Sequence, residues 1–233
     1  MSGAALPLAP DTAPRPVWRW LGRVPFEETA RLQEQLRAEV IAGRAPETLL
    51  LCEHDPVITL GRSAQAAHVL ASADELARRG VALAAASRGG DVTYHGPGQL
   101  VGYPVLRLRG GVVSHLEAMA RGLAALLATF GVVAAWRRDA PGLWIDRGNG
   151  SSLAKICAFG VHVRHRVSIH GFALNVATAL DAFDLIVPCG LRDVTVTSIA
   201  ALTGAAPTLE ALAPRAADAL GVAFDRSFER SPR

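Results

Sequence analysis

The chain has 233 residues, half of them apolar and 19% charged, with 24 basic against 21 acidic side chains and a formal net charge of +3. That apolar content excludes a disordered or fibrous chain, and the length suffices to bury a core without disulfide or metal staples. The longest charge-free runs, 16 residues from Val194 to Leu209 and 15 each from Val92 to Leu106 and Gly122 to Trp136, with 14 from Val167 to Leu180, are shorter than the roughly 20 residues of a bilayer-crossing helix, so no membrane partner is expected.

Residues 1–20 hold Pro7, Pro10, Pro14 and Pro16 and predict a flexible arm, followed by one domain over 21–225 and a tail over 226–233. The arm lacks a basic segment leading into an apolar one, which points away from secretion and to the cytoplasm. Glu27 to Ala42 sets Leu32, Leu36 and Val40 one turn apart ahead of Gly43, a helix pattern. Thr48 to Cys52 and Val57 to Leu60 flank Asp55-Pro56 and predict two strands. Ser72, Asp74 and Glu75 open a short helix that Gly80 stops, and a strand follows over Val81 to Ala85. Ser114 and Glu117 have capping-box spacing ahead of a helix that runs to Phe130 and stops at Gly131. Strands are predicted over Val132 to Trp136, Leu143 to Ile145, Lys155 to Val163 and Val167 to Val176, the last two forming a hairpin that turns near Arg164 to Arg166. Short helices follow at Thr197 to Leu202 and Leu209 to Leu220, with Pro214 counting against the second. Strands and helices come in blocks, which predicts an α+β fold, a mixed β-sheet with flanking helices.

The cysteines, Cys52, Cys157 and Cys189, are odd in number and lack C-x-x-C spacing. This excludes a disulfide framework and a zinc cluster, so no metal and no cofactor is expected. The arginines pair only at Arg78-Arg79 and Arg137-Arg138 without interleaved aromatics, so no nucleic-acid partner is expected. Walker A, dinucleotide, HExxH and G-x-S-x-G patterns are absent.

Of the 24 basic residues, 23 are Arg and one, Lys155, is Lys. A chain that uses guanidinium elsewhere keeps at this position an amine that can lose its proton. Set in an apolar strand, that amine either snorkels to solvent or is desolvated, which favours its neutral form and suits it to proton transfer. The run Arg88 to Pro104, RGGDVTYHGPGQLVGYP, reads as a glycine-rich loop. It is either an elaborate turn or a wall whose backbone approaches a ligand, with Arg88, Thr93 and His95 as polar contacts. In VPCG a turn either presents the Cys189 thiol on a bend or buries it as an unreactive side chain, whereas Cys52 and Cys157 sit in apolar runs as core thiols. His95 and His170 are rivals to Lys155 as a base, or ordinary hydrogen-bonded residues.

RGGDVTYHGPGQLVGYP, LAKICAFGV, IHGFALNV, FDLIVPCG and VTSI, in this order, resemble the bacterial lipoyl(octanoyl) transferases from about Leu49 to Leu202. The resemblance implies the fold of the biotin and lipoate protein ligase catalytic domains. It also implies transfer of octanoyl from octanoyl-acyl carrier protein to a lysine of lipoyl domains, those of 2-oxoacid dehydrogenases and the glycine-cleavage H protein, the first step of protein lipoylation. By position, Cys189 matches the family's nucleophile and Lys155 its acid/base partner. The acyl-binding segments match Arg88, Gly89, Gly90, Asp91, Val92, Thr93, Tyr94 and His95, then Ala158, Phe159 and Gly160, then Gly171, Phe172 and Ala173. An ATP-dependent lipoate or biotin-type protein ligase, and a non-catalytic acyl or lipoyl-domain binding module, are the alternatives.

Overall fold

The computed structural model describes residues 14–148, 153–187 and 195–231. Twelve strands lie among the described residues. In chain order they are β1 (Val17–Val24), β2 (Thr48–His54), β3 (Val57–Leu60), β4 (Ala82–Ala85), β5 (Val92–His95), β6 (Gln99–Val105), β7 (Ala135–Arg137), β8 (Gly142–Asp146), β9 (Leu153–Arg164), β10 (Val167–Asn175), β11 (Thr195–Val196) and β12 (Glu229–Arg230). The helices are α1 (Phe26–Ile41), α2 (Ala73–Arg78), α3 (Val112–Ala128), α4 (Ile199–Thr203) and α5 (Leu209–Phe224).

The main sheet runs β12-β1-β2-β6-β10-β9-β8-β7, with β11 paired to β9, and a smaller sheet runs β4-β3-β5. Pairing is mixed: β1–β2, β1–β12, β9–β11 and β3–β4 are parallel, and the rest antiparallel. The expected α+β class, a mixed β-sheet with flanking helices, is what the chain adopts.

Strand β2 shows why its sequence is continuously apolar. Leu49 and Leu51 point into the core under α3, α4 and α5, while Leu50 and Cys52 pack under α1 with Val101, Tyr103 and Ala173. A strand covered on both faces has no polar side to alternate with. α1 buries Leu36 and Val40 on that second face, as the four-residue spacing predicts. Strands β9 and β10 turn at His165 and Arg166, both at positive φ (47° and 63°), which matches a tight hairpin turn to the sheet twist.

Several expectations need correction. Residues 17–20, assigned to the arm, are the start of β1, and within the expected tail Glu229 and Arg230 pair with Val17 and Trp18. The glycine-rich run is not one loop, since it contains β5 and most of β6. Ser114 caps nothing. α3 begins at Val112 behind Gly111, and the Ser114 hydroxyl donates to the Gly111 carbonyl at 2.8 Å. The predicted strand at Val132 starts three residues later, at Ala135. α5 continues past Pro214 to Phe224 because Leu212, Ala213, Ala216, Ala217 and Leu220 are all buried, and this packing outweighs one missing hydrogen bond. Among the described residues no helix is long and apolar enough to cross a membrane.

Candidate active site

A cavity of about 360 Å³ with a mostly apolar lining opens between the α1 face of the main sheet and the edge of the small sheet. Its base consists of small side chains on paired strands: Ala158 opposite Ala173, and Gly160 opposite Gly171. Gly160 has a specific reason to be glycine. A Cβ there would lie 2.9 Å from the Gly89 carbonyl oxygen and 3.2 Å from Arg88 Cδ, so any side chain would push the facing loop away.

That loop, residues 88–91, is clamped from behind. The amides of Gly61, Arg62 and Ser63 donate to the carbonyls of Asp91, Arg88 and Gly90 at 3.0–3.1 Å. The Arg88 guanidinium donates to the Thr59 carbonyl (2.6 Å), the Thr59 hydroxyl (2.8 Å) and the Asp91 carbonyl (2.8 Å). These bonds make Arg88 a staple for the wall as well as part of it. The Asp91 carboxylate pairs with His68 and accepts from the Gln65 amide at 3.2 Å.

Of the fourteen positions expected to bind substrate, thirteen line this cavity: Arg88, Gly89, Gly90, Asp91, Val92, Thr93, His95, Ala158, Phe159, Gly160, Gly171, Phe172 and Ala173. Tyr94 does not. Strand alternation turns it away from Thr93 and His95 into a separate core, where its ring meets Phe183 edge-on at 5.6 Å. The cavity also uses Phe26, Val101, Tyr103, Val112 and Leu116, which the sequence did not single out because they are ordinary apolar residues of α1, β6 and α3.

Lys155 is only 4% exposed and lines both the cavity and a small recess of about 10 Å³ beside it. A β-bulge puts it there. Trp144 pairs with Lys155 and Leu143 with Cys157, so Ile156 is the extra residue. Ile156 and Cys157 both enter the core, which leaves Lys155 and Ala158 together on the cavity side. Lys155 Nζ lies 4.6 Å from the centroid of the Trp144 ring, whose Nε1 is anchored to the Ala140 carbonyl at 2.9 Å. The lysine stem passes Gly142, where a Cβ would lie 3.3 Å from Lys155 Cε and 2.4 Å from the Cys157 carbonyl oxygen.

His95 sits in a chain of hydrogen bonds whose donors and acceptors are all assigned. Arg88 donates to the Thr59 hydroxyl, which donates to His95 Nε2 at 3.3 Å; His95 Nδ1 donates to the Gln99 carbonyl oxygen at 2.8 Å. The Gln99 amide donates to Asn175 Oδ1 at 2.9 Å, and the Asn175 amide to the Thr197 carbonyl at 3.0 Å. The Thr197 amide in turn donates to the Lys155 carbonyl at 3.0 Å. Burial, then the charges of His54 and Arg88, pushes His95 down to about 3, against the opposing bond to Gln99. Burial and Arg88 likewise hold His170 at about 3. His170 bonds the Ser87 hydroxyl at 2.9 Å and has φ +56°, a conformation steadied by its amide's bond to Gln33 at 2.7 Å. Two neutral imidazoles with such low proton affinity are poor general bases at neutral pH, which leaves Lys155 as the stronger candidate.

Cys52 and Cys157 are buried, and desolvation raises both thiols far above their ordinary range. Cys189 lies outside the described residues. The described chain before it is held by the Val187 amide on the His68 carbonyl at 2.8 Å, and the chain after it by Val196, paired with Lys155.

The family model for the lipoyl protein ligase A/B catalytic domain matches residues 25–221. An octanoyltransferase of Acidobacterium capsulatum is 46% identical over 189 residues, covering 77% of each chain. One of Chloroflexus aurantiacus is 44% identical over 209 residues, covering 88% of this chain and 92% of its own. A chain from the structure of an archaeal lipoylation system, a bipartite lipoate protein ligase and its E2 lipoyl domain from Thermoplasma acidophilum, superposes with a TM-score of 0.73. It is 17% identical and covers 93% of this chain and 86% of its own, which extends the likeness of fold. The domain match and relatives this similar along most of both chains settle the classification: the chain belongs to the lipoyl protein ligase A/B catalytic domain family and is an acyltransferase.

Proposed function

We propose that the protein takes an octanoyl group from the thioester of acyl carrier protein and delivers it to a lysine of a lipoyl domain. The transfer passes through an acyl thioester on Cys189, with Lys155 as acid and base. The observation that carries this proposal is the placement of the chain's single lysine, buried in the wall of a largely apolar cavity. A cavity of this kind suits an acyl chain, and the amine beside it can exchange protons where a guanidinium cannot.

The chemistry balances in two steps. Lys155 takes the Cys189 proton; the thiolate attacks the acyl carbonyl, a new C–S bond forms, and the carrier C–S bond breaks. The departing carrier thiolate recovers that proton from the Lys155 ammonium. The acceptor amine then attacks the acyl-cysteine, losing a proton to Lys155 as the amide forms, and the Cys189 thiolate leaves and is protonated from the ammonium. Thioester exchange is nearly isoenergetic and aminolysis is downhill, so no nucleotide is required. The attachment of Val187 to the loop that carries His68, and of Val196 to Lys155, supports the placement of Cys189 at this cavity.

Incubation with octanoyl-acyl carrier protein followed by intact-mass analysis tests the proposal. An octanoyl adduct is expected on the wild type and none on Cys189→Ala. Lys155→Arg is expected to lower turnover at least about 100-fold with an unchanged circular dichroism spectrum. An unmodified wild type refutes covalent transfer, and pyrophosphate release from ATP and free octanoate points to a ligase. Full activity in Lys155→Arg overturns the role of the amine.

A further inference from the structure

We propose that the ring of Phe26 closes the acyl channel and sets the longest chain the protein accepts, an inference that rests on the acyl-transfer function proposed above. The cavity runs from exposed to buried surroundings. Among its lining residues Asp139 and Val112 are exposed, whereas Phe26, His95 and Tyr103, gathered around the His54 ring into one aromatic end, are 6%, 6% and 3% exposed. Ala158 pairs with Ala173 and Ala173 with Val101, a row that crosses β9, β10 and β6. Two strand spacings span about 10 Å, close to the length of an extended eight-carbon chain. A chain that lies along this row from Lys155 meets the aromatic end as its last carbons arrive.

The members of that end are not equivalent. His54 bonds the Val24 carbonyl (2.8 Å) and the Tyr103 hydroxyl (2.6 Å), and His95 bonds Gln99 (2.8 Å), so each is fixed by polar contacts. Phe26 is held by apolar packing alone: nearly parallel to His95 at 6.3 Å, edge-on to His54 at 5.7 Å, and against Val57 and Ala84. It is therefore the one ring of the set whose truncation leaves no donor or acceptor unpaired. Truncation to alanine opens a space on the order of 100 Å³, and apolar cavities of that size accept apolar guests.

The test compares acyl-carrier donors of six, eight, ten and twelve carbons with the full-length wild type, Phe26→Ala and Phe26→Leu. The ten-carbon to eight-carbon ratio of kcat/KM is expected to rise about 10-fold in Phe26→Ala, the value of two further buried methylenes, and by less in Phe26→Leu. Unchanged ratios in variants with a native circular dichroism spectrum overturn the proposal, as does a shift of the ratio by Leu116→Ala in place of Phe26→Ala. Calorimetric binding of free octanoic and decanoic acids gives the same comparison without turnover. Length selection that responds to Phe26 in a protein transferring no acyl group would sink the proposed reaction and leave the gauge standing. Binding indifferent to residue 26 would sink the gauge.

Discussion

Mild acid should destabilise this protein well above the pH at which its carboxylates titrate. Three buried histidines, His95, His115 and His170, are held at about 3, 4 and 3, each mainly by loss of hydration. In the unfolded chain each returns to an ordinary value near 6.5 and binds a proton that the folded state refuses. The unfolded state thus gains protons first, and stability falls as pH drops below about 6.5. Between pH 7 and pH 5 each group contributes about 2 kcal/mol to that loss, so the three together remove on the order of 5 kcal/mol. Typical domains have about 5–15 kcal/mol in total, so the effect is a large fraction of the whole. Urea denaturation at pH 7, 6 and 5 measures it, read by tryptophan fluorescence. His115→Leu isolates one component away from the cavity: the side chain stacks on Phe224 at 4.9 Å, and its buried Nε2 has no hydrogen-bond partner. The variant should lose about one third less stability than the wild type over the same interval. A denaturation free energy that stays level from pH 7 to pH 5 would refute the account of these three groups.

Gly142→Ala should destabilise the fold by about 1–3 kcal/mol, because the new methyl group meets the Cys157 carbonyl oxygen, and should lower kcat by displacing the lysine stem. Chemical denaturation and steady-state transfer measured on the same sample check both effects. Gln99→Leu should cost a further 1–3 kcal/mol, about the penalty for leaving His95 Nδ1 and Asn175 Oδ1 without partners in a buried setting. Thermal melting checks that loss, and an unchanged Tm would show that the amide is dispensable.

Much of this architecture can be traced to the residues. Leu32, Leu36 and Val40 mark the buried stripe of α1, and two charged or polar residues at the β9–β10 turn punctuate an otherwise apolar hairpin. The cavity wall is legible because glycine density and a solitary lysine are unusual locally. Its buried end is not, since Phe26, Val101 and Tyr103 look like any core residues until strands distant in sequence bring them together. β1 escapes notice because it follows a proline-rich stretch and alternates poorly, with most of its residues half-buried. Ser114 misleads because Gly111, with extended backbone, already starts the helix one turn earlier. The position of Tyr94 follows from strand parity, which becomes visible only once β5 is recognised within the glycine-rich run.

The hydrogen-bond chain through His95 begins at a guanidinium, which can only give protons, and finishes at the Thr197 carbonyl, which can only receive them. With both ends obligate, the sense of every link between them is dictated, and the flip-flop reversal open to closed rings of hydroxyls is forbidden. A proton arriving on His95 Nε2 has nowhere to settle quietly. It confronts a Thr59 oxygen already engaged by Arg88, so the disturbance spreads at once to the clamp that holds the facing wall. One titration there would loosen the clamped side of the cavity, whereas the Nδ1 bond to Gln99, and through it the strand bearing the amine, would stand as before.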